Sequence, residues 1–387
     1  MKKSLFLALA ILSSLNASGQ NILKSIQHYL DSAVQRKVDS CYIEVPTKPW
    51  RIILRSKINE IDVDYMNSFK SETEDLAWNW QLCFSPPLAA SVGFWAGYRG
   101  TGISYSQSLL KNAGRYFSFS TTGSHYGFNF RLRRFSTNKT TFTSIINENG
   151  QVTDEKNISG DTDANIWIRS VYINGYYVFN GRRYSQAAAY NQSVIQRRSA
   201  GSLLVGATWY QSSLDLSEPK NAPFVILSKD IGHIKLHQAN IGIGYGYNLV
   251  PFRGFVINAM AMPTLSVYNR VKVYKYDYNY TIFDDEVRTE DYGKWNSQTH
   301  TWANGMTHKP MYGSEEWLKD IEGWKTEEDT EYGSMHFNVD LRVGIAYNWN
   351  NYFLGLQSQF NRFTYKKDNT KVTLFDWYAH LSVGIRL

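Results

Sequence analysis

The sequence has too few cysteines and charged residues for several common protein classes. Two cysteines in 387 residues cannot make a disulfide scaffold. The charged fraction is 19 %, below the roughly 25 % of a typical soluble domain, and the many aromatic residues exclude a disordered chain. The mean hydropathy is −0.40, and no run of about 18 uncharged apolar residues occurs, so a bundle of transmembrane helices is excluded.

Aromatic residues are abundant instead. The chain has 12 Trp, 27 Tyr and 20 Phe, which together make up 15 % of its residues. This composition indicates a β-rich protein. It fits a large soluble β-protein and an outer-membrane β-barrel equally well, because such barrels carry girdles of aromatic residues in place of long apolar runs.

The N-terminal residues 1–19 are predicted to be a signal peptide. Lys2 and Lys3 form a positively charged start, a short apolar segment follows, and small residues lead up to Gly19. Residues 20–49 are expected to form a periplasmic leader, with an amphipathic helix over 20–38 where apolar residues recur at helical spacing. The protein is therefore expected to be exported.

From residue 50 to residue 387 the apolar pattern has a period of two, which is typical of strands. In the last segment, 375–387, apolar side chains alternate with polar, charged or small ones, and segments 336–348 and 126–134 repeat this pattern. Strands are predicted near 51–66, 89–98, 102–110, 114–121, 125–134, 165–179, 201–213, 238–249, 254–273, 335–349, 352–365 and 373–387. The fold class is thus all-β, an antiparallel transmembrane β-barrel of about 12 strands, with roughly 8 to 14 possible.

The predicted connections alternate between short turns and long loops, as they do in outer-membrane barrels. The long loops include 67–88, 135–164, 214–237 and 274–334. Loop 274–334 is expected to be extracellular; it is rich in aromatic residues and carries 14 acidic against 6 basic residues. The connection 180–200 breaks the rule, because it should be short and has about 20 residues; a short helix is expected within 185–196.

Several motifs resemble a known family. The segments 177–180 (Tyr-Val-Phe-Asn), 184–188 (Tyr-Ser-Gln-Ala-Ala) and 196–202 (Gln-Arg-Arg-Ser-Ala-Gly-Ser) are similar to a family of outer-membrane β-barrel-like proteins from Bacteroidetes, catalogued only as a domain of unknown function. The resemblance covers roughly residues 50–387. It implies a barrel fold, but it carries no catalytic motif and no activity. The chain departs from the general outer-membrane pattern in ending at Leu387 instead of an aromatic residue.

The period of the strands places a set of polar and charged side chains inside the predicted barrel. If the apolar faces contact lipid, the opposite faces carry Arg131, Arg133, Arg169, Asp340, Arg342, Asp376, His380 and Arg386. One interpretation is a lumen that selects or binds anions. The interpretation we favour is a structural network of arginine and aspartate, because small barrels fill their interior with side chains.

Other candidate sites have weaker support. His233 and His237 could share a metal ion on a helix, but in an extended segment they would lie about 13 Å apart, so no metal site is expected. His380 and Ser382 lie on one strand face, yet no motif fixes an acid that would orient the histidine, so no catalytic residue is assigned. No cofactor motif is found, and a signal peptide makes nucleic-acid binding an unfavoured interpretation of the basic residues.

The sequence therefore predicts a passive protein of the bacterial outer membrane, not an enzyme. It would be a narrow channel or a surface-exposed binding or structural barrel. The expected partners are outer-membrane lipid, lipopolysaccharide and the barrel-assembly machinery. Two alternatives stay open: an outer-membrane hydrolase or acyltransferase acting on lipid or peptide, with a Ser–His–acid cluster at one rim, and a secreted soluble β-protein.

Overall fold

The computed structural model describes residues 27–28, 30–31, 38–70, 76–84, 89–109, 114–148, 151–216, 231–277, 295–296, 301–302, 325–367 and 370–387. The strands are β1 (Ile43–Glu44), β2 (Trp50–Lys70), β3 (Leu76–Phe84), β4 (Ala89–Tyr98), β5 (Thr101–Ser108), β6 (Arg115–Thr122), β7 (Tyr126–Glu148), β8 (Gln151–Val178), β9 (Ile195–Gln196), β10 (Ala200–Asp215), β11 (Ile231–Leu249), β12 (Phe255–Asp277), β13 (Trp295–Asn296), β14 (Thr301–Trp302), β15 (Lys325–Tyr332), β16 (Phe337–Trp349), β17 (Tyr352–Lys367) and β18 (Thr370–Arg386). The one-turn helix α1 spans Ala187–Tyr190. None of the described helical residues belongs to a helix long and apolar enough to cross a membrane.

Twelve antiparallel strands close into a ring within the described part of the chain. Their order around the ring is β11-β10-β8-β7-β6-β5-β4-β2-β18-β17-β16-β12, and β12 pairs with β11 to complete the circle. The predicted all-β barrel of about 12 strands is confirmed, and each predicted segment coincides with one strand of the ring. Closure leaves the ring without a free edge strand.

The alternation along each strand separates an apolar outer face from a polar inner face. On β16, Leu341 and Val343 point outwards and are 40 % and 48 % exposed, whereas Asp340 and Arg342 point inwards and are 4 % and 5 % exposed. This polarity is the reverse of a water-soluble barrel and is typical of barrels that stand in lipid.

The two ends of the ring differ in their connections. We call one the short-turn end, because it carries the turns at 99–100, 123–125, 250–254 and 350–351. At the other end, the hairpin end, β7 and β8 remain paired as far as Glu148 and Gln151. The expected loops 67–88 and 135–164 thus contain paired strands, β3 among them. Polar residues occupy both faces of much of the β7–β8 extension, which hides its period. β3 does alternate with a period of two, as LAWNWQLCF, and could have been found from the sequence.

The sheet divides near the hairpin end. β2 pairs with β4 as far as Asn59 and with β3 from Val63 onwards. β7 pairs with β6 as far as Arg134 and with β3 from Thr140 onwards. β3 thus takes the place of β4, β5 and β6 in the part of the wall near the hairpin end. Because barrel diameter grows with strand number, the barrel narrows towards this end.

An apolar layer fills the narrowed interior. Its buried side chains come from β2, β7, β8, β10, β11, β12, β17 and β18, and they include Ile61, Ile168, Tyr210, Val271 and Leu374. The rings of Tyr210 and Phe363 stack with their centroids 4.2 Å apart. The inner face of the barrel is therefore apolar towards the hairpin end and polar towards the short-turn end.

The connection between β8 and β10 folds back into the barrel at the short-turn end. We call residues 184–196 the plug; all but two of them are buried. The short helix expected within 185–196 is present as the single turn of α1. The unusual length of this connection is explained because it fills the mouth of the barrel instead of forming a turn.

Hydrogen bonds from several strands hold the plug in place. Arg51 on β2 donates to the carbonyl of Asn191, and Arg386 on β18 donates to the carbonyl of Gln192. On β17, Gln357 Nε2 donates to the carbonyls of Ala189 and Tyr190, at 3.0 and 2.6 Å. Since free carbonyls are costly to bury, these donors allow backbone to enter the barrel.

The leader covers the plug from outside. Strand β1 pairs with β9, and Ile43 packs with Ala187, Ala188 and Val194. A helix was expected over 20–38. Residues 27, 28, 30 and 31 are helical, residue 38 is not, and the other positions lie outside the described residues. The predicted signal peptide 1–19 also lies outside the described residues.

Asp31 in this leader accepts hydrogen bonds from Arg99 Nε at 2.6 Å and from Tyr98 Oη at 2.9 Å. Burial alone would raise the pKa of Asp31, but these hydrogen bonds and the positive charge of Arg99 hold it below its ordinary value. Asp31 is therefore a carboxylate at neutral pH, and the ion pair ties the leader to the turn between β4 and β5.

The fit of the plug depends on glycine at position 246. A Cβ atom on Gly246 would lie 2.1 Å from Tyr184 Oη, whereas a Cβ atom on Gly175 in β8 would meet nothing within 4 Å. We expect Gly246→Ala to lower the free energy of unfolding by about 1–3 kcal/mol through overpacking. Gly175→Ala is the matched control and should change it by less than about 0.5 kcal/mol. Equal urea midpoints for the two variants would contradict the close packing of Tyr184 against Gly246.

Candidate functional site

A small chamber lies inside the barrel between the plug and the polar inner faces of the strands. Its volume is about 80 Å³, and its walls come from β2, β5, β6, β7, β8, β16, β17 and β18. Gln186, Tyr190 and Asn191 of the plug line the chamber as well. The chamber therefore depends on two distant parts of the sequence.

Seven of the eight predicted interior residues occupy inward-facing positions. Six are buried, and His380 lines the chamber with its Nε2 atom buried; the seven are Arg131, Arg133, Asp340, Arg342, Asp376, His380 and Arg386. They do not form one cluster. Arg131, Arg342 and His380 reach the chamber, whereas Arg386 contacts the plug at the short-turn end.

Arg169 is a correction to the sequence analysis, because it is exposed on the outer face of β8. Its neighbours Ile168 and Ser170 are the buried residues. In this part of β8 the inner face belongs to the apolar layer, so the assumption that polar residues point inwards fails there.

Two buried ion pairs occupy the interior. Arg133 Nη1 lies 2.9 Å from Asp376 Oδ1, and Arg342 Nη2 lies 2.5 Å from Asp340 Oδ2. Gln359 Nε2 donates to Asp340 Oδ1 at 3.0 Å, and Arg342 Nη2 also donates to Asn174 Oδ1 at 2.9 Å. Each carboxylate thus has an arginine partner, and the contacts connect β7, β8, β16, β17 and β18 across the lumen.

Three further cations in the chamber lie against aromatic rings. Lys57 Nζ is 3.2 Å from the ring centroid of Tyr116, and the guanidinium carbon of Arg131 is 3.7 Å from that of Tyr172. The guanidinium of Arg55 lies 5.6 Å from the ring of Trp95. Cation–π contacts orient these groups but leave their N–H donors available.

Arg51, Arg55 and Lys57 were missed by the sequence analysis. All three lie on the inward face of β2, where they alternate with the outward-facing Ile52 and Leu54. The same period-two pattern that identified β18 would have found them.

The chamber holds few groups suited to metal or nucleophilic chemistry. Within the described ranges, no three His, Cys, Asp or Glu residues come close enough to hold a metal ion. His233 and His237 lie on the outer face of β11, where His237 packs on Trp209. Ser382 Oγ donates to the carbonyl of Gly355 at 3.1 Å, and His380 Nε2 has no hydrogen-bond partner among the described residues, so the two do not form a catalytic pair.

Comparison with known sequences places the chain in a family. The profile described as "Domain of unknown function (DUF4421)" matches residues 37–386. The chain belongs to the DUF4421 family. This confirms the resemblance carried by segments 177–180, 184–188 and 196–202, of which the second lies entirely in the plug. No curated protein sequence matches the chain.

Solved structures similar to this DUF4421 chain include several outer-membrane proteins. The outer membrane protease OmpT from Escherichia coli is 10 % identical, with 87 % of this chain and 97 % of that one covered and a TM-score of 0.38. The translocator domain of the autotransporter NalP from Neisseria meningitidis is 8 % identical, with 97 % and 99 % covered and a TM-score of 0.29. An outer membrane channel from Pseudomonas putida F1 is 9 % identical, with 89 % and 97 % covered and a TM-score of 0.30. None of these similarities is close enough to transfer an activity.

The Arg133–Asp376 pair provides a test of the interior network. We expect Asp376→Asn to lower the free energy of unfolding by about 3–5 kcal/mol, because it leaves the charge of Arg133 buried without its partner. Glu44→Gln breaks the half-exposed pair with Arg197 and should cost about 1 kcal/mol or less. Urea unfolding of both variants measures the difference; a cost for Asp376→Asn no larger than that for Glu44→Gln would show that the pair is solvated.

Proposed function

We propose that this protein is an outer-membrane β-barrel with a closed lumen and a passive structural or binding role. The observation that carries the proposal is that the plug fills the short-turn end while the apolar layer fills the hairpin end. An open channel needs a continuous polar path, and the apolar layer interrupts that path. Of the two passive roles, a surface-exposed barrel therefore has more support than a narrow channel.

The outer face supports a location in the outer membrane. On β16 the outward side chains are apolar from Phe337 to Tyr347. Ten residues of strand span roughly 34 Å, or about 25 Å along the membrane normal at a tilt of about 40°, which equals the apolar band of such barrels. The rings of Tyr347 and Trp349 stack at 5.5 Å at one border, and those of Trp209 and Tyr268 stack at 5.7 Å towards the other. A secreted soluble protein would not expose so large an apolar belt.

The partners that follow are lipids and the assembly machinery. Outer-membrane lipid would contact the apolar belt, and lipopolysaccharide would surround the hairpin end. The barrel-assembly machinery would insert the strands. The hydrolase or acyltransferase alternative has less support, because His380 lacks an orienting acid within the described structure and Ser382 is engaged with backbone.

A conductance measurement tests the closed lumen. Purified protein that shows heat-dependent mobility on a denaturing gel, and is therefore folded, should produce no current steps in planar bilayers. The physical reason is that ions would have to cross the apolar layer without water. Reproducible single-channel steps from folded wild-type protein would contradict the proposal and favour the narrow channel.

Cysteine labelling tests the location and orientation. In a Cys83→Ser background, exposed Cys41 should react with a membrane-impermeant maleimide only after the outer membrane is permeabilised, because it lies at the short-turn end. In a variant lacking both native cysteines, Val152→Cys at the tip of the long hairpin should react in intact cells. Labelling of Cys41 in intact cells, with Val152→Cys protected, would reverse the orientation; recovery of both proteins in the soluble fraction would contradict the location.

A further inference from the structure

The chamber contains buried cations whose hydrogen-bond donors are unfilled. Lys57 Nζ, Arg55 Nε and all three guanidinium nitrogens of Arg131 are buried without a hydrogen-bond partner. The two interior carboxylates, Asp340 and Asp376, are already paired with Arg342 and Arg133. The negative charge of Asp376 acts on Lys57, Arg131 and Arg133 together, so the buried positive charges here outnumber it. Unbalanced buried charge is costly, and the arrangement therefore favours an anion from outside the chain.

The aromatic side chains direct these cations to one place. The ring of Tyr378 lies 4.6 Å from Lys57 Nζ and 5.0 Å from the guanidinium carbon of Arg131, so the two positive groups flank the same ring. Lys57 comes from β2 and Arg131 from β7, which are four places apart around the ring. Their convergence is a property of the closed barrel and not of one strand.

Neutral donors and the available volume complete the site. Ser104, Ser106 and Ser118 line the chamber on β5 and β6, which lie between the strands of Arg131 and Lys57 in the ring, and the hydroxyl of Ser104 is also without a partner among the described residues. The chamber of about 80 Å³ has room for several waters, since roughly 10–15 Å³ of such space holds one water, and one small polar ligand can take their place.

We propose that the chamber binds one small oxyanion of the phosphate or sulfate class. Arg55, Lys57 and Arg131 supply the charge-assisted hydrogen bonds, and the serine hydroxyls supply neutral ones. The ligand is a free, water-soluble anion and not the headgroup of a lipid, because the strands and the plug surround the site. This site goes beyond the proposed passive barrel and does not depend on whether the lumen conducts.

Calorimetric titration tests the proposal directly. Full-length protein in detergent, dialysed into chloride, is titrated with sodium phosphate, and sodium chloride at equal ionic strength is the reference. We expect one saturable site per chain in wild-type protein. Arg131→Gln should weaken the affinity at least tenfold, since a hydrogen bond to a charged group is lost at the centre of the site. Arg182→Gln changes an exposed arginine outside the barrel and should bind as wild type does.

Each possible result supports or overturns the site. Folding of every variant is checked by heat-dependent gel mobility, and Lys57→Gln replaces Arg131→Gln if the latter does not fold. The absence of saturable binding to folded wild-type protein overturns the proposal, as does unchanged affinity in a folded chamber variant. A short-chain phosphatidic acid should not displace phosphate; displacement would place the anion site on the lipid-facing surface and overturn its location in the chamber.

Discussion

The width of a twelve-stranded ring is the constraint on which the rest of the structure depends. A barrel of about eight strands can be filled by its own side chains, but a wider ring leaves space at its axis. This chain fills that space in two ways. At the hairpin end β3 replaces three strands, and an apolar layer fills the narrower interior. At the short-turn end backbone enters the barrel as the plug.

The backbone carbonyls of the plug need hydrogen-bond donors inside the barrel, and arginines on the inner face supply them. Arg51 lies 4.7 Å from the ring of Trp95 and Arg386 lies 4.9 Å from the ring of Phe353. Each guanidinium then donates to a plug carbonyl. Further into the barrel, Arg133 and Arg342 have carboxylate partners, whereas Arg55, Lys57 and Arg131 do not. The buried positive charge thus lies both at the plug, where carbonyls accept from it, and in the chamber, where Arg131 and Lys57 have no hydrogen-bond acceptor among the described residues.

The parts of this fold that follow from local pattern could be predicted from the sequence. The period of two along β16 and β18 located strands and identified Asp340, Arg342 and Asp376 as interior residues before their contacts were known. The prediction that Arg169 faces the lumen was wrong, because β8 passes from the polar into the apolar part of the interior. There the inward positions are mostly apolar, and the arginine points outwards. The hydrogen bonds that anchor the plug could not be predicted from local pattern, since Arg51 and Asn191 are 140 residues apart in sequence. The anomalous length of the connection 180–200 was the only local indication of it.

The central claim is that residues 184–196 are a fixed part of the barrel interior. Hydrogen exchange followed by mass spectrometry on the folded protein in detergent measures this directly. If the claim is correct, peptides covering 187–194 exchange as slowly as peptides from β16 and β17, because the amides of residues 189–192 are hydrogen-bonded within the buried plug. Exchange of these peptides within seconds, while the strands remain protected, would mean that the plug is not seated in the barrel, and the account of a closed lumen would be wrong.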